Sequence, residues 1–362
     1  MNKGIVIKAL VLVVLVGLLF ATKRGKNQPE LENAGEMSVF NLKKGKAKKP
    51  LEISAWVPWW EEEKGLVSIR NDSAKLQTIS PVWYQISDQG KLQETEGQYR
   101  DKIIELARSR EIKIIPTISN AKDFGFDPER VSEFLDNRED QESFASEIIK
   151  VAVDSGFDGW DLDWEEIFPE DKDSYSAFLE YLAGRFDELG LLLSVSVHAQ
   201  TGKESDWVGT KGQDLVRIGR HADFVRVMAY DFHHAGSAPG AVAPLEELVQ
   251  VVEYNLSVIP VEKLVIGLPT YGYRWAMGSG QSMQYVEIKE NIVALGAKVH
   301  LDEESFSKWS EYSLDGVDYT VWFDDSQTLA KKVNLIREYG IYQICLWHLG
   351  GEDEEIWEAL AN

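Results

Sequence analysis

Cysteine is all but missing: Cys345 is the only one in 362 residues, so no intrachain disulfide can form and the fold must rest on its packed core. Because Cys345 lies in the apolar run from Ile344 to Trp347, it reads as core, where burial raises a thiol's pKa and works against a nucleophile. Histidine is scarce too, at six residues. The one adjacent pair, His233-His234, lacks the spacing and supporting ligands of a zinc site, so neither a metal nor a cofactor is expected. No glycine-rich phosphate loop follows an early strand, which counts against a doubly wound nucleotide-binding sheet. Positive charge is short as well. Lys and Arg number 38 against 60 Asp and Glu, and residues 1–50 hold ten of the basic residues with only three acidic ones, leaving about −29 on the remainder. Such acidity argues against nucleic acid as a ligand and mildly against strongly anionic polymers.

The long apolar run is confined to the start of the chain. Ala9 to Ala21, behind Lys3 and Lys8, is short for a spanning helix and right for the apolar segment of a signal, while counting from Ile5 gives a marginal span. No A-x-A site or lipobox cysteine follows, and Lys23, Arg24 and Lys26 come directly after the run. Residues 1–21 are therefore expected to be an uncleaved membrane anchor or a removed signal peptide, with residues 5–21 as the tether in the first case. Either way the protein is exported. Residues 22–50, poor in aromatics and ending in a lysine cluster, read as a flexible basic linker that a solvated spacer or a contact with anionic headgroups would explain. With 44% hydrophobic and 11% aromatic residues, one main domain over residues 51–362 is expected, acting as a monomer.

Within that domain short β-rich runs alternate with amphipathic stretches, the pattern of repeated βα units. The runs are Ile53 to Val57, Ile79 to Gln85, Lys113 to Ile118, Gly159 to Trp164, Leu192 to Val197, Phe224 to Ala229, Leu264 to Leu268 and Gln343 to Trp347. Helices are expected at Arg100 to Ser109, Asp140 to Ser155, Tyr175 to Leu189 and Ser326 to Tyr339. Eight such units predict an α/β fold, a closed (β/α)8 TIM barrel. One gap is too long for a simple connection. Between about residues 270 and 325 lie a helix candidate, Tyr285 to Leu295, and strand-like pieces around Lys298 to Leu301 and Tyr319 to Phe323, so a small α+β insertion should stand between strands seven and eight as an ordered wall over the barrel mouth.

Chemistry concentrates at strand four. In Phe157-Asp158-Gly159-Trp160-Asp161-Leu162-Asp163-Trp164-Glu165 three carboxylates fall at every second position, so Asp161, Asp163 and Glu165 share one face and Trp160, Leu162 and Trp164 the other. The apolar face suits a helix layer, which turns the acids inward. Like charges crowded in a poorly solvated interior push a proton back onto at least one of them, giving an acid able to donate near neutral pH, as acetal cleavage requires. Asp158 falls off the alternating face and reads as structural. Barrel active sites lie at the C-terminal strand ends, and aromatics abound there: Trp56, Trp59 and Trp60 after strand one, Trp83 and Tyr84 at strand two, Tyr230 at strand six, Tyr271, Tyr273 and Trp275 after strand seven, and Trp347 at strand eight. His198 closes strand five. So many aromatics on one rim suit stacking against sugar rings.

These residues resemble the family 18 glycoside hydrolases, the chitinase-like barrels, whose strand four carries D-x-x-D-x-D-x-E, matched by Asp158, Asp161, Asp163 and Glu165. Met228-Ala229-Tyr230-Asp231 is similar to the family's M-x-Y-D at strand six, and Trp347 to the tryptophan that floors the central sugar site. Leu346-Trp347-His348-Leu349-Gly350-Gly351-Glu352-Asp353 and Ile266-Gly267-Leu268-Pro269 look like bacterial members that act on cell-wall or spore-coat glycans. The resemblance implies retaining hydrolysis of a β-linked N-acetylglucosamine glycan. Glu165 would be the general acid and then base, Asp163 would orient the acetamide, Asp161 would tune Asp163, and Tyr230 would bind the acetamide carbonyl. Trp347, Met228 and Asp231 would line the sugar site, and the rim adds Trp56, Trp83 and Tyr271 as substrate-binding candidates. One departure stands out: where many family chitinases carry S-x-G-G after strand three, this chain has Thr117-Ile118-Ser119-Asn120-Ala121, so that loop is expected to lie differently over the sugar. A lectin-like protein on the same barrel is the alternative, and chitin, peptidoglycan and an N-glycan core all offer the required acetamide.

Overall fold

The computed structural model describes residues 49–361 except 73–74, 124 and 205. The expected anchor or signal at residues 1–21, and all but the last two residues of the expected linker, lie outside the described residues. No helix among the described residues is long and apolar enough to cross a membrane.

Eight parallel strands close into a barrel. They are Glu52–Pro58, Leu76–Ile86, a broken third strand of Lys113–Ile114 and Thr117–Ser119, Gly159–Asp163, Leu192–His198, Phe224–Met228, Leu264–Pro269 and Gln343–Trp347. The first pairs with both the second and the eighth, which completes the ring. Expected strands and observed strands agree to within a few residues. Helices occupy the connections, and their ends follow local chemistry. Arg138–Ser155 begins two residues before the expected Asp140 because the Asn137 side chain accepts from the Glu139 and Asp140 backbone N–H groups; it stops at Gly156, whose φ of 62° suits glycine. Asp325 caps Ser326–Glu338 in the same way, reciprocally with Thr328.

Alternation along each strand sorts the residues into two cores. Outward side chains such as Ile53, Ala55, Val57, Trp160, Leu162, Val195, Val227, Ile266 and Ile344 are buried with the helices in one large apolar cluster. Inside the barrel the apolar cluster is small, with Trp56, Val82, Val265 and Cys345 at its centre and Phe224 and Trp347 against it. Cys345 is fully buried there and its thiol is pushed up to about 12 by burial, as its apolar setting predicts. The rest of the interior is polar.

Between the seventh and eighth strands stands a five-stranded antiparallel sheet, in the order Ser279–Gln284, Tyr271–Ala276, Val317–Phe323, Ser307–Leu314 and Val299–Asp302, with helix Tyr285–Leu295 packed on it. This is the expected insertion. Tyr271, Tyr273 and Trp275, expected only to follow strand seven, form the insertion's first strand, which pairs with Ser279–Gln284 and with Val317–Phe323, the strand that contains the expected piece Tyr319 to Phe323. The insertion is fastened to the barrel's helix layer by a buried ion pair. Lys332, fully buried on helix Ser326–Glu338, donates to both Asp324 carboxylate oxygens at 2.6 and 2.7 Å and to Ser307 Oγ at 2.8 Å.

Removing one partner of such a pair strands a buried charge. Lys332→Met should lower stability in urea unfolding by about 3–5 kcal/mol, and the double variant Lys332→Met/Asp324→Leu should recover most of that loss.

Candidate active site

Strand Gly159–Asp163 carries its acids into the barrel. Asp161 is completely buried and is satisfied from several sides: Ser194 Oγ donates to Oδ1 at 2.6 Å, while Trp56 Nε1 and Thr117 Oγ1 each donate to Oδ2 at 3.0 Å. Ser196 Oγ bridges both oxygens at 3.2 Å, and the buried Arg226 guanidinium lies 3.4 Å from Oδ2. Arg226 in turn donates to Ser80 at 2.5 Å and lies over the Trp56 ring. Sequence reasoning missed this arginine. Its signal was there: in Phe224-Val-Arg-Val-Met the charge occupies the same alternate face as Phe224 and Met228, the inward one.

The next acid fares differently. Asp163 Oδ1 is buried with no hydrogen-bond partner in the protein. Burial, reinforced by the neighbouring Asp161 charge and opposed by Arg226, raises its pKa from an ordinary 3.8 to about 7. Glu165 lies just past the strand's end, its side chain 14% exposed. Its pKa also stands well above the ordinary 4.5, first through burial and then through repulsion from Asp163, Glu166 and Asp231. The site thus holds one fully hydrogen-bonded carboxylate beneath two carboxyls that retain protons.

Glu165 is fixed through its backbone. Asn120, fully buried after the third strand, accepts from the Glu165 N–H at 2.9 Å and donates to the Glu165 carbonyl at 2.9 Å. Here lies the physical meaning of the departure from S-x-G-G: the side chain that replaces a glycine grips the main chain of strand four. Asp158, off the alternating face, accepts from the Ile114 N–H at 2.7 Å and ties strand four to strand three.

The sixth strand brings Met228, Tyr230 and Asp231. Met228 and Tyr230 are partly buried, and burial together with Asp163, Glu165 and Asp231 keeps the Tyr230 phenol protonated. Gly267 makes room for that ring, since a Cβ there would lie 3.3 Å from Tyr230 Cε1 and 2.9 Å from the Val227 carbonyl. Asp231 Oδ1 accepts from Tyr271, in a short hydrogen bond, and from Tyr273 at 3.1 Å; burial raises its pKa and these bonds lower it. Trp347 lies partly exposed on the eighth strand with its ring edge-on to Trp56, centroids 5.7 Å apart.

Asp161, Asp163, Glu165, Met228, Tyr230, Asp231, Tyr271 and Trp347 are therefore brought together at one mouth. Two expected ligand contacts are not. Trp83 is fully buried in the helix layer against Phe157, with Nε1 donating to Glu62 at 2.6 Å, because alternation along Leu76–Ile86 sends it outward while Ser80 and Val82 face in. Trp56 does face inward but is 1% exposed, beneath Trp347, with its indole N–H committed to Asp161. It supports the site from below. Tyr271 reaches the site through Asp231 and is itself buried.

Comparison with known proteins follows the same lines. The family model for glycosyl hydrolases family 18 matches residues 54–353. YdhD of Bacillus subtilis, named as a sporulation-specific glycosylase, is 31% identical over 289 residues, 77% of this chain and 67% of that protein. The cortical fragment-lytic enzyme of Bacillus subtilis is 26% identical over 264 residues, 71% of this chain, which spans only 61% of that relative. The crystal structure of a chitinase from Chromobacterium violaceum superposes with a TM-score of 0.79 at 25% identity, covering 86% of this chain and 98% of that one.

Two outcomes follow from this geometry. Asn120→Ala leaves two backbone groups of Glu165 without their partner, and should cost about 2 kcal/mol or more in stability together with a fall in turnover, read by thermal unfolding and initial rates. Asp163 keeps in the native state a proton that the unfolded chain releases near pH 4, so its stabilising contribution is full below that pH and is lost as pH rises through about 7. Asp163→Asn should therefore melt higher than the parent above pH 7 and no higher at pH 4, measured by calorimetry across that range.

Proposed function

Because this chain belongs to glycosyl hydrolase family 18 and is a glycoside hydrolase, we propose that it cleaves β-linked N-acetylglucosamine-containing glycans with retention of configuration, using the substrate's own acetamide as nucleophile. That route differs from the two-carboxylate scheme of most glycosidases, in which a second carboxylate attacks the sugar or activates water. The observation that carries the reading is the inward row itself. A carboxyl with an unpartnered oxygen, Asp163, stands between a fully satisfied Asp161 and an acid, Glu165, that burial keeps protonated.

In this reading Glu165 gives its proton to the glycosidic oxygen as the bond to the anomeric carbon breaks. The acetamide oxygen closes on that carbon. In its ionised form, which a pKa of about 7 makes accessible, Asp163 accepts the acetamide N–H through Oδ1, which aligns the attack and balances the positive charge of the oxazolinium-like intermediate; Tyr230 donates to the acetamide oxygen in the bound substrate. Asp161, already occupied by its own donors, tunes Asp163 by raising its pKa. Water then attacks the anomeric carbon, with Glu165 taking the proton back. Trp347 offers its ring to the apolar face of the sugar, and Asp231 and Met228 shape the rest of the pocket.

The names of two relatives, a sporulation-specific glycosylase and a cortical fragment-lytic enzyme, favour a cell-wall glycan as the polymer attacked. An exported barrel held at the envelope through residues 5–21 belongs to the same proposal.

Incubation with chitin oligomers, muropeptide-bearing sacculi and a high-mannose glycoprotein, followed by mass analysis of the fragments, identifies the substrate; release from sacculi is the expected result. Glu165→Gln should lower kcat by roughly 100-fold or more with sugar binding nearly unchanged. Turnover equal to the parent's would remove Glu165 from its role, and equal cleavage of fully de-N-acetylated oligomers would remove the acetamide from its own.

A further inference from the structure

The fifth strand ends at His198, which the proposed mechanism leaves idle. Its Nε2 lies 3.1 Å from Glu165 Oε2, yet that nitrogen is buried and has no aligned hydrogen-bond partner. The approach is built rather than incidental. Gln213, itself buried, accepts from the His198 backbone N–H at 3.0 Å and donates to the carbonyl of Trp164, the residue before Glu165, at 3.3 Å. One amide side chain thus sets the spacing between the two residues, while Asn120 holds Glu165 from the other side. Trp207 closes the imidazole's remaining flank edge-on, with ring centroids 4.8 Å apart. Its indole folds back over Gly209, where any Cβ would lie 2.6 Å from the ring.

We propose that His198 is a positioning residue for Glu165: a neutral imidazole that keeps its own proton and donates Nε2–H to Oε2 of the carboxylate left after proton transfer, leaving Oε1 aimed at the glycosidic oxygen. The inference rests on Glu165 being the acid. The carboxyls around Glu165 work in the opposite direction. Asp163 on its own strand, Glu166 next to it and Asp231 beyond the sixth strand all disfavour its charge, and the Tyr230 phenol stands among them. With the Tyr230 phenol assigned to the acetamide, His198 is the imidazole placed to stabilise the carboxylate, its Nε2 3.1 Å from Oε2. Burial depresses the imidazole to about 4, so it stays neutral well above that pH. No proton leaves it: the one that Glu165 gives to the leaving oxygen returns from the attacking water, and the imidazole only swings into line with the carboxylate in between.

The test compares pH profiles of kcat on a chitin oligomer or on sacculi, whichever the parent cleaves, for His198→Ala, His198→Phe and His198→Gln. Phe keeps a ring against Trp207 without a donor, and Gln restores a donor without the ring. Ala and Phe should each lower kcat about tenfold, with KM little changed, and should move the alkaline limb up by about one pH unit, since the carboxylate loses a stabilising donor. Gln should bring the limb back toward the parent's position. A limb that stays in place in the Phe variant, or a Gln variant that behaves like Phe, would overturn the proposal. Its failure is separable from failure of the wider reading: an idle His198 leaves Glu165→Gln still inactive, whereas a misassigned acid leaves Glu165→Gln active.

Discussion

One buried carboxylate organises this barrel. Asp161 has no solvent, and its two oxygens draw donors from the first, third and fifth strands and a guanidinium from the sixth. Such a group is tolerated only when its lone pairs are filled, and an isolated one would cost more than a domain's whole stability margin. The polar interior of Ser80, Thr117, Ser194 and Ser196 follows from that need, in a position where barrels ordinarily carry Val, Ile and Leu. Arg226, stacked over Trp56, belongs to the same arrangement.

With the donors concentrated on Asp161, its two successors along the strand are left short. Asp163 has a bare oxygen and Glu165 stands among acids, so both hold protons that ordinary carboxyls would lose. The chemistry of the proposed reaction comes from this uneven distribution of partners rather than from any unusual residue. Its cost appears as native stability lost with rising pH, a familiar exchange in sites shaped for catalysis. The insertion contributes from above: Tyr271 and Tyr273 hold Asp231 and thereby fix a third carboxyl beside the first two.

Period-two alternation made the fold and the acid row legible in the sequence, because a strand covered by helices must be apolar on its outer face. It also held the correction for Trp83. Position at a strand's C-terminal end suggested a rim residue, but the same alternation, applied to Ile79, Ser80, Val82 and Trp83, sends that indole outward into the helix layer. Trp56 passed the alternation test and still proved inaccessible, since nothing in a sequence shows that Trp347 lies over it. His198 at the end of strand five and Asn120 after strand three were visible in the sequence, but their contacts with Glu165, and that of Gln213 with Trp164, were beyond reach for a related reason. Each acts on strand four from a segment 33 to 49 residues away along the chain, and only closure of the barrel brings those strand ends side by side.

The central claim is that Glu165 keeps its proton well above the pH at which an ordinary glutamate releases it, because of where the barrel puts it. Infrared difference titration of the protonated carboxyl band, comparing the parent with Glu165→Gln, reads that proton directly in the absence of substrate. A band assigned to Glu165 that disappears only well above pH 4.5 is the predicted result. Loss of the band near 4.5, as for a solvated glutamate, would contradict the account.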